Sequence, residues 1–416
     1  MGPNQEKLTI CFHPWMLYFQ NDDYETAMDE IADRGFNCIR IDDGAGLLWD
    51  GEGKTRHSVA ISPPFGSFTK FTTFLIGPKV MDLWDRLLRI FAAAKKRGVK
   101  VILSSWFFLH TNWFCEENDV RPLFALSTEE KIDYFAKELS GILDVLRKEG
   151  YIGSVAYAEI FNEFDGLPFA GEYRNRLSEE EADRLRVLHE KAIAKCRARH
   201  PDVLFAFDTW RPGPQEAIIP RNIDVLDFHF YYAWPVYFAF QRDIVQWTTE
   251  EPEIPEDIRY YLKEKPVSVA EVVKEMKTIR TGLDWPRRIS LYASIDKKKE
   301  AELSALLDRE LTENYGRYLE SFYAGIDRLL AVHEKTVPDS RIVMGEGVSC
   351  CASPIVTFER DSGAFWKLIG NQMAYFNRQG FWGSVVATTH APERTPAWSA
   401  CRDLYREVNG VFLGKE

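Results

Sequence analysis

Two glutamates, Glu163 and Glu346, lie far apart in the 416-residue chain, each at the end of a short apolar run of strand type. The first run closes on Phe161-Asn162-Glu163 and the second on Gly345-Glu346-Gly347. Side chains at the C-terminal tips of barrel strands point into one shared pocket, so two such carboxyls should converge. A converging pair suits cleavage of a glycosidic bond. One carboxyl protonates the leaving oxygen, while the other attacks the anomeric carbon or activates a water. A gap of ~5–5.5 Å favours double displacement with retention, and a wider gap leaves room for the water. A single Glu is ordinarily an exposed loop acid. Two at strand ends, one of them preceded by Asn, point to the pair instead.

The elements that must hold these residues alternate along the whole chain. Leu8–His13 reads as a strand and Tyr24–Arg34 as a helix stopped by Gly35. Asn37–Asp42 is a second strand with its helix over Val80–Arg97, and Val99–Trp106 is a third. Capping boxes at Ser127/Glu130 and Ser178/Glu181 open the helices on either side of strand four, Ser154–Glu163. Val203–Thr209, Asp224–Tyr231, Arg341–Glu346 and Gly383–Thr389 supply strands five to eight, and Leu303–Lys335, Ser362–Arg378 and Ala397–Val408 the later helices. Eight β/α alternations without a change of composition predict an α/β fold, a single (β/α)8 TIM barrel spanning 1–416. A doubly wound sheet is the competing architecture, but no Gly-rich turn follows the first strand. Long connections follow strands, above all 43–79 and 232–302, and would rise on the catalytic face. The second is partly helical over Val267–Thr278 and rich in aromatics, with Trp234, Pro235, Tyr237, Phe238, Phe240, Trp247 and Trp285 as a wall or lid.

Composition narrows the function. A net charge of −11 without a basic patch argues against nucleic acid, and no apolar run is long enough to span a membrane. The polar start of the chain shows no secretory signal, and seven Cys without a C-x-x-C suit a reduced compartment, so a cytoplasmic location is expected. Eight scattered His offer no His-x-His and no H-E-x-x-H, and no strand carries a Lys in its second half. Metal-dependent and Schiff-base barrel chemistries therefore lack their residues, and no metal or cofactor is expected.

At the strand ends the chain resembles a known group, the clan A glycoside hydrolases, and among them the cellulase-like family 5 enzymes. The resemblance rests on Gly35-Phe36-Asn37-Cys38-Ile39-Arg40, Asn162-Glu163, His229-Phe230-Tyr231 and Glu346, in that order. It implies Glu163 as acid/base and Glu346 as nucleophile of a retaining enzyme acting on a carbohydrate. It also implies that Asn162 binds the sugar 2-hydroxyl, that Arg40 and Tyr231 hold Glu346 ionised, and that His229 borders the acid/base. Along strand four, Tyr157, Glu159, Phe161 and Glu163 should share one face, with Glu159 pointing inward below the site as a satisfied buried carboxylate. Trp15, Trp106 and Trp210 are placed near sugar rings, and Asp42 or Asp43 near hydroxyls. Asp208 also ends a strand. His13 reads as structural. Two departures bear on the substrate. Strand three lacks the usual His pair, offering Trp106 and His110. Strand eight lacks the usual Trp, running Ala387-Thr388-Thr389-His390, with Trp382 before it and Trp398 beyond. His390, Glu393 and Arg394 either bind the sugar edge or form an ordinary loop charge cluster. The distribution of insertions favours a small glycoside or a chain end. A carbohydrate-binding protein without turnover and a transglycosylase are the alternatives.

Overall fold

The computed structural model describes residues 6–12, 22–41, 48–49, 55–63, 65–71, 79–105, 121–123, 125–164, 177–209, 216–231, 259–276, 284–347, 357–386, 393 and 395–415. Its barrel strands are β1 (Leu8–Phe12), β2 (Cys38–Ile41), β5 (Lys100–Leu103), β6 (Val155–Glu159), β7 (Phe205–Thr209), β8 (Val225–Phe230), β9 (Arg341–Gly347) and β10 (Gly383–Val385). Each pairs in parallel with its neighbours, and β10 returns to β1, closing the ring. Two short strands, β3 (Val59–Ile61) and β4 (Lys79–Met81), form a separate antiparallel pair within the first insertion.

The helices form because their sequences carry both an apolar face and explicit ends. In α2 (Leu83–Arg97), the helix after α1 (Tyr24–Asp33), Asp82 accepts from the backbone N–H of Trp84 and Asp85, and Gly98 closes the helix in the left-handed conformation. Both expected capping boxes are present, on α3 (Thr128–Lys148) and α4 (Glu179–Arg199). Leu87, Ile90 and Phe91 of α2, with Phe135, Leu139 and Leu143 of α3, are fully or almost fully buried against the strands. Among the described residues no helix is long and apolar enough to cross a membrane.

Several boundaries differ from the sequence reading, each for a local reason. Val80 belongs to β4 rather than to a helix, because the Asp82 cap sets the helix start beyond it. The run 303–335 divides at Asn314 into α7 (Glu300–Glu313) and α8 (Tyr315–Thr336), and the last helix divides at Cys401. Strand four stops at Glu159, four residues short of Glu163. Phe161 then leaves the barrel interior to pack against Phe135, Phe164 and His189, so it does not share a face with Glu159.

The second insertion is helical where it is described. It contains α5 (Val269–Glu275), with its own capping box from Ser268 and Glu271, and α6 (Asp284–Ser294). Its aromatic residues from Trp234 to Trp247 lie outside the described residues, as does the side chain of Trp285. Both helices meet the turn Gly66–Phe71 of the first insertion, where the Glu275 carboxylate accepts from the Ser67 N–H at 2.6 Å and its hydroxyl at 2.7 Å. Gly66 has φ +53°, and a Cβ there would lie 2.5 Å from Glu275, so this turn needs glycine. The two insertions leave β2 and β8, which stand opposite each other in the ring, and they are joined. Glu275→Ala should cost ~1 kcal/mol locally. Hydrogen exchange should then quicken at 66–71 and 269–275 with the barrel strands unchanged; a uniform increase would contradict this.

Candidate active site

The centre of the site is a charge that the sequence places inside a four-residue apolar strand. Arg40 of β2 is fully buried. Its Nη1 donates to Asp227 Oδ2 at 2.7 Å, and its Nη2 donates to Glu159 and to Asn162 Oδ1, the latter at 2.5 Å. Asp208 Oδ2 lies 3.6 Å from Nη2, and Glu346 Oε1 lies 3.7 Å from Nε. Burying a guanidinium is tolerable only with acceptors such as these around it. Burial acts against its charge, but Glu159 and Asp227 outweigh that and hold its pKa above the ordinary value. The acids fare differently. Burial dominates at Glu159, raising its pKa to about 8 despite Arg40. Burial and then Glu159 push Asp208 well up. One guanidinium divided among several buried carboxyls does not offset the desolvation of Glu159 and Asp208.

Strands β8 and β9 set the next layer. Their register runs from Phe228 opposite Met344 directly to His229 opposite Glu346, leaving Gly345 as an extra residue. The Gly345 N–H donates to Asp227 Oδ1 at 2.7 Å, and a Cβ on Gly345 would meet both Asp227 oxygens at 2.3 Å. Asp227 also accepts from the Tyr157 hydroxyl at 2.6 Å. Phe230 points outward onto Gly325 of α8, where a Cβ would lie 2.4 Å from the ring. With Phe230 outward, His229 and Tyr231 face the pocket, and the Tyr231 hydroxyl donates to Glu346 Oε2. Glu346 Oε1 accepts no hydrogen bond among the described residues.

Glu163 completes the cluster. It lies past the end of β6 with φ +50°, the one non-glycine residue in the left-handed region among those described. For an L-residue that conformation costs on the order of 1–2 kcal/mol. Both oxygens of Asp208, at 2.8 and 2.7 Å, accept its backbone N–H. Its side chain is 17% exposed, whereas that of Glu346 is 1% exposed. His229 Nδ1 stands 3.0 Å from Glu163 Oε1 and 3.7 Å from Glu346 Oε1. One carboxylate oxygen of each glutamate and one ring nitrogen of His229 lie within 4.8 Å of one another. That trio could in principle surround a cation. The guanidinium near Glu346 and the phenol donor on it would oppose one, and within the trio the contact at hydrogen-bond distance is that of His229 with Glu163.

A model of the cellulase-like family, described as sugar-binding cellulase-like, matches residues 17–288. The chain belongs to that family. No curated protein matches it. Among solved structures, a candidate glycoside hydrolase from Parabacteroides distasonis shares 15% identity and a TM-score of 0.66, over 98% of this chain and 94% of that one. A GH113 β-1,4-mannanase is 11% identical with a TM-score of 0.46, over 97% and 99% of the two chains. The hyperthermostable endo-1,4-β-D-mannanase from Thermotoga petrophila is 12% identical with a TM-score of 0.44, over 91% and 87%. The cellulase-like family expected from the strand ends is thus the family found.

In this cellulase-like barrel, Arg40, Asn162, Glu163, His229, Tyr231 and Glu346 come together. Asn162 is fully buried, and its Nδ2 donates to no described residue, leaving a donor beside the pair. Arg40 and Tyr231 both favour the ionised form of Glu346, as expected, but they do not set its pKa alone. Burial, with help from Glu163, raises its pKa, and His229, Arg40 and Tyr231 only reduce the rise. Arg40 is committed first to Asp227 and Glu159, so its hold on Glu346 is the weaker one. Trp398 is a packing residue: it is buried, stacks on Phe36 and donates to Glu30. Trp382 sits at the opposite end of its strand, under Arg341. Glu393 is exposed. His13, Trp15, Asp42, Asp43, Trp106, His110, Trp210, His390 and Arg394 lie outside the described residues. The sequence reading missed Asp227 and the role of Tyr157. The available signal was a lone acid inside each of three apolar strands, at Glu159, Asp208 and Asp227.

The raised pKa of Glu159 has a testable sign. A proton held more tightly in the folded state stabilises below the unfolded value near 4.5, and that contribution disappears as pH rises toward about 8. Glu159→Gln keeps the acceptor for Arg40 but cannot ionise. Its melting temperature relative to the parent protein should therefore rise from pH 5 to pH 9, by on the order of 2 °C or more. A difference that stays flat or falls would contradict the assignment.

Proposed function

We propose that the protein is a retaining glycoside hydrolase that cleaves a β-glycosidic bond by double displacement. Glu346 attacks the anomeric carbon and Glu163 protonates the departing oxygen. Glu163 then takes a proton from the water that releases the sugar. The supporting observation is the approach of the two glutamates at the C-terminal ends of β6 and β9, within 4.8 Å at their nearest cluster atoms. That gap leaves little space for an intervening water and matches the separation at which a carboxylate itself reaches the anomeric carbon. Their surroundings support the division of roles. Glu346 is buried, with one oxygen fixed by Tyr231 and the other accepting from no described residue, as a nucleophile aimed at one atom requires. Glu163 is the more exposed of the two and touches an imidazole, which suits a group that must trade protons with leaving group and water. A donor on Asn162 beside the pair fits a sugar hydroxyl.

Glu346→Ala should lower turnover of any aryl glycoside by ~10⁴-fold or more, and EDTA should leave the parent activity unchanged. Glu163→Ala should lose ~10²–10⁴-fold on a phenyl glycoside and far less on a 2,4-dinitrophenyl glycoside, whose leaving group needs little protonation. Equal losses on both substrates would remove Glu163 from the acid role. Binding of sugars without turnover across a broad panel would favour the binding-protein alternative.

The joined insertions support a pocket that takes a chain end or small glycoside over a cleft open to a passing polymer. Viscosity and reducing ends followed together on soluble β-glucan, mannan and xylan test this. Reducing ends should appear with little change in viscosity; a rapid fall in viscosity with few new ends would mean internal cleavage.

A further inference from the structure

Beneath the acid/base lies a carboxyl that the two-glutamate chemistry does not use. We propose that Asp208 is a positioning residue, which holds Glu163 in its left-handed backbone conformation and so aims its carboxyl at the glycosidic oxygen. This rests on the functional reading above. Asp208 is the fourth residue of β7, fully buried, and is fixed in depth by the strand. Glu163 comes after strand pairing has ended, on a segment that has already turned Phe161 outward, so the ladder does not set its direction. Three contacts replace the ladder. The neighbouring Asn162 N–H donates to Ser105 O at 2.9 Å, Asn162 Oδ1 accepts from Arg40, and the Glu163 N–H is shared by both Asp208 oxygens. Of these, only the last acts on the strained residue itself, whose φ of +50° an unconstrained glutamate would leave.

Asp208 reaches the same carboxyl from a second side. Its Oδ2 lies 3.7 Å from His229 Nε2, while Nδ1 of that ring touches Glu163 Oε1 at 3.0 Å. An acceptor oxygen on the side of the far nitrogen favours a proton there, which leaves Nδ1 to face the Glu163 carboxyl. Main chain and side chain of the acid/base are thus both referred to one buried carboxyl. A displacement of about 1 Å at a reacting group is enough for a ~10²-fold loss.

The test compares Asp208→Asn and Asp208→Ser, both of which fit the space, with Glu163→Ala on phenyl and 2,4-dinitrophenyl β-D-glucosides and β-D-mannosides. Asp208→Asn should lower kcat on the phenyl substrates ~10²-fold and on the dinitrophenyl substrates several-fold at most, with KM little changed. A merely structural role would lower both alike, and that outcome, or no loss, overturns the proposal. If Glu163→Ala shows no leaving-group dependence, the functional reading fails instead. A readout independent of turnover is the crystal structure of Asp208→Ser. Residue 163 should leave the left-handed region and its carboxyl should part from His229 Nδ1. An unchanged Glu163 would overturn the proposal, and so would loss of folding in both variants, which would make Asp208 a stability residue.

Discussion

One buried guanidinium organises this barrel. Arg40 extends from β2 across the interior and is held by groups from β6, β8 and the turn after β6, with carboxylates of β7 and β9 just beyond hydrogen-bond distance. Without it, Glu159, Asp208, Asp227 and Glu346 would be four acids sharing a space closed to water, and their mutual repulsion would add to the cost of burial. With it, the interior remains short of positive charge, which is why the pKa values of Glu159, Asp208 and Glu346 move up rather than down. The polar centre therefore costs stability that the apolar layer between strands and helices must offset, and in return Asp227, Asn162 and Glu163 are each held by more than one contact.

Fixation is achieved by departures from regular strand geometry. The extra residue Gly345 rotates Glu346 to stand opposite His229, and the early end of β6 frees Asn162 and Glu163 from the ladder so that side chains can place them. Small residues make this feasible: Gly345 admits the Asp227 carboxylate, and Gly325 admits Phe230, which turns its neighbours His229 and Tyr231 inward. The outcome is two glutamates of the same chemistry in different surroundings, one sealed and one at the mouth.

The barrel was legible in the sequence because its signals are local. Alternating apolar runs, capping boxes at Ser127 and Ser178, and glycine stops at Gly35 and Gly98 each report on one element, and eight such units close only one way. The strand-end residues were legible for a similar reason, since position at a C-terminal tip implies convergence. What was not legible depends on register. The bulge at Gly345, the outward turn of Phe161 and the acceptor role of Asp227 arise from how two strands slide against each other, and a lone Asp in an apolar strand does not reveal which side it faces. The net pKa of Glu346 escaped as well, because the sequence names the neighbouring cation but not its other claimants.

The proposed double displacement makes Glu346 a covalent partner of the sugar, and this can be observed directly. The protein should be incubated with 2-deoxy-2-fluoro β-glycosyl fluorides, whose ring fluorine slows both steps while the good leaving group keeps formation of the intermediate faster than its release. Intact mass and peptide mapping then locate the adduct. The account predicts one added 2-fluoroglycosyl group, on the peptide containing Glu346, with activity lost in step. An adduct on any other residue, or glycosyl fluoride turned over without an adduct to a product of inverted configuration, would contradict it.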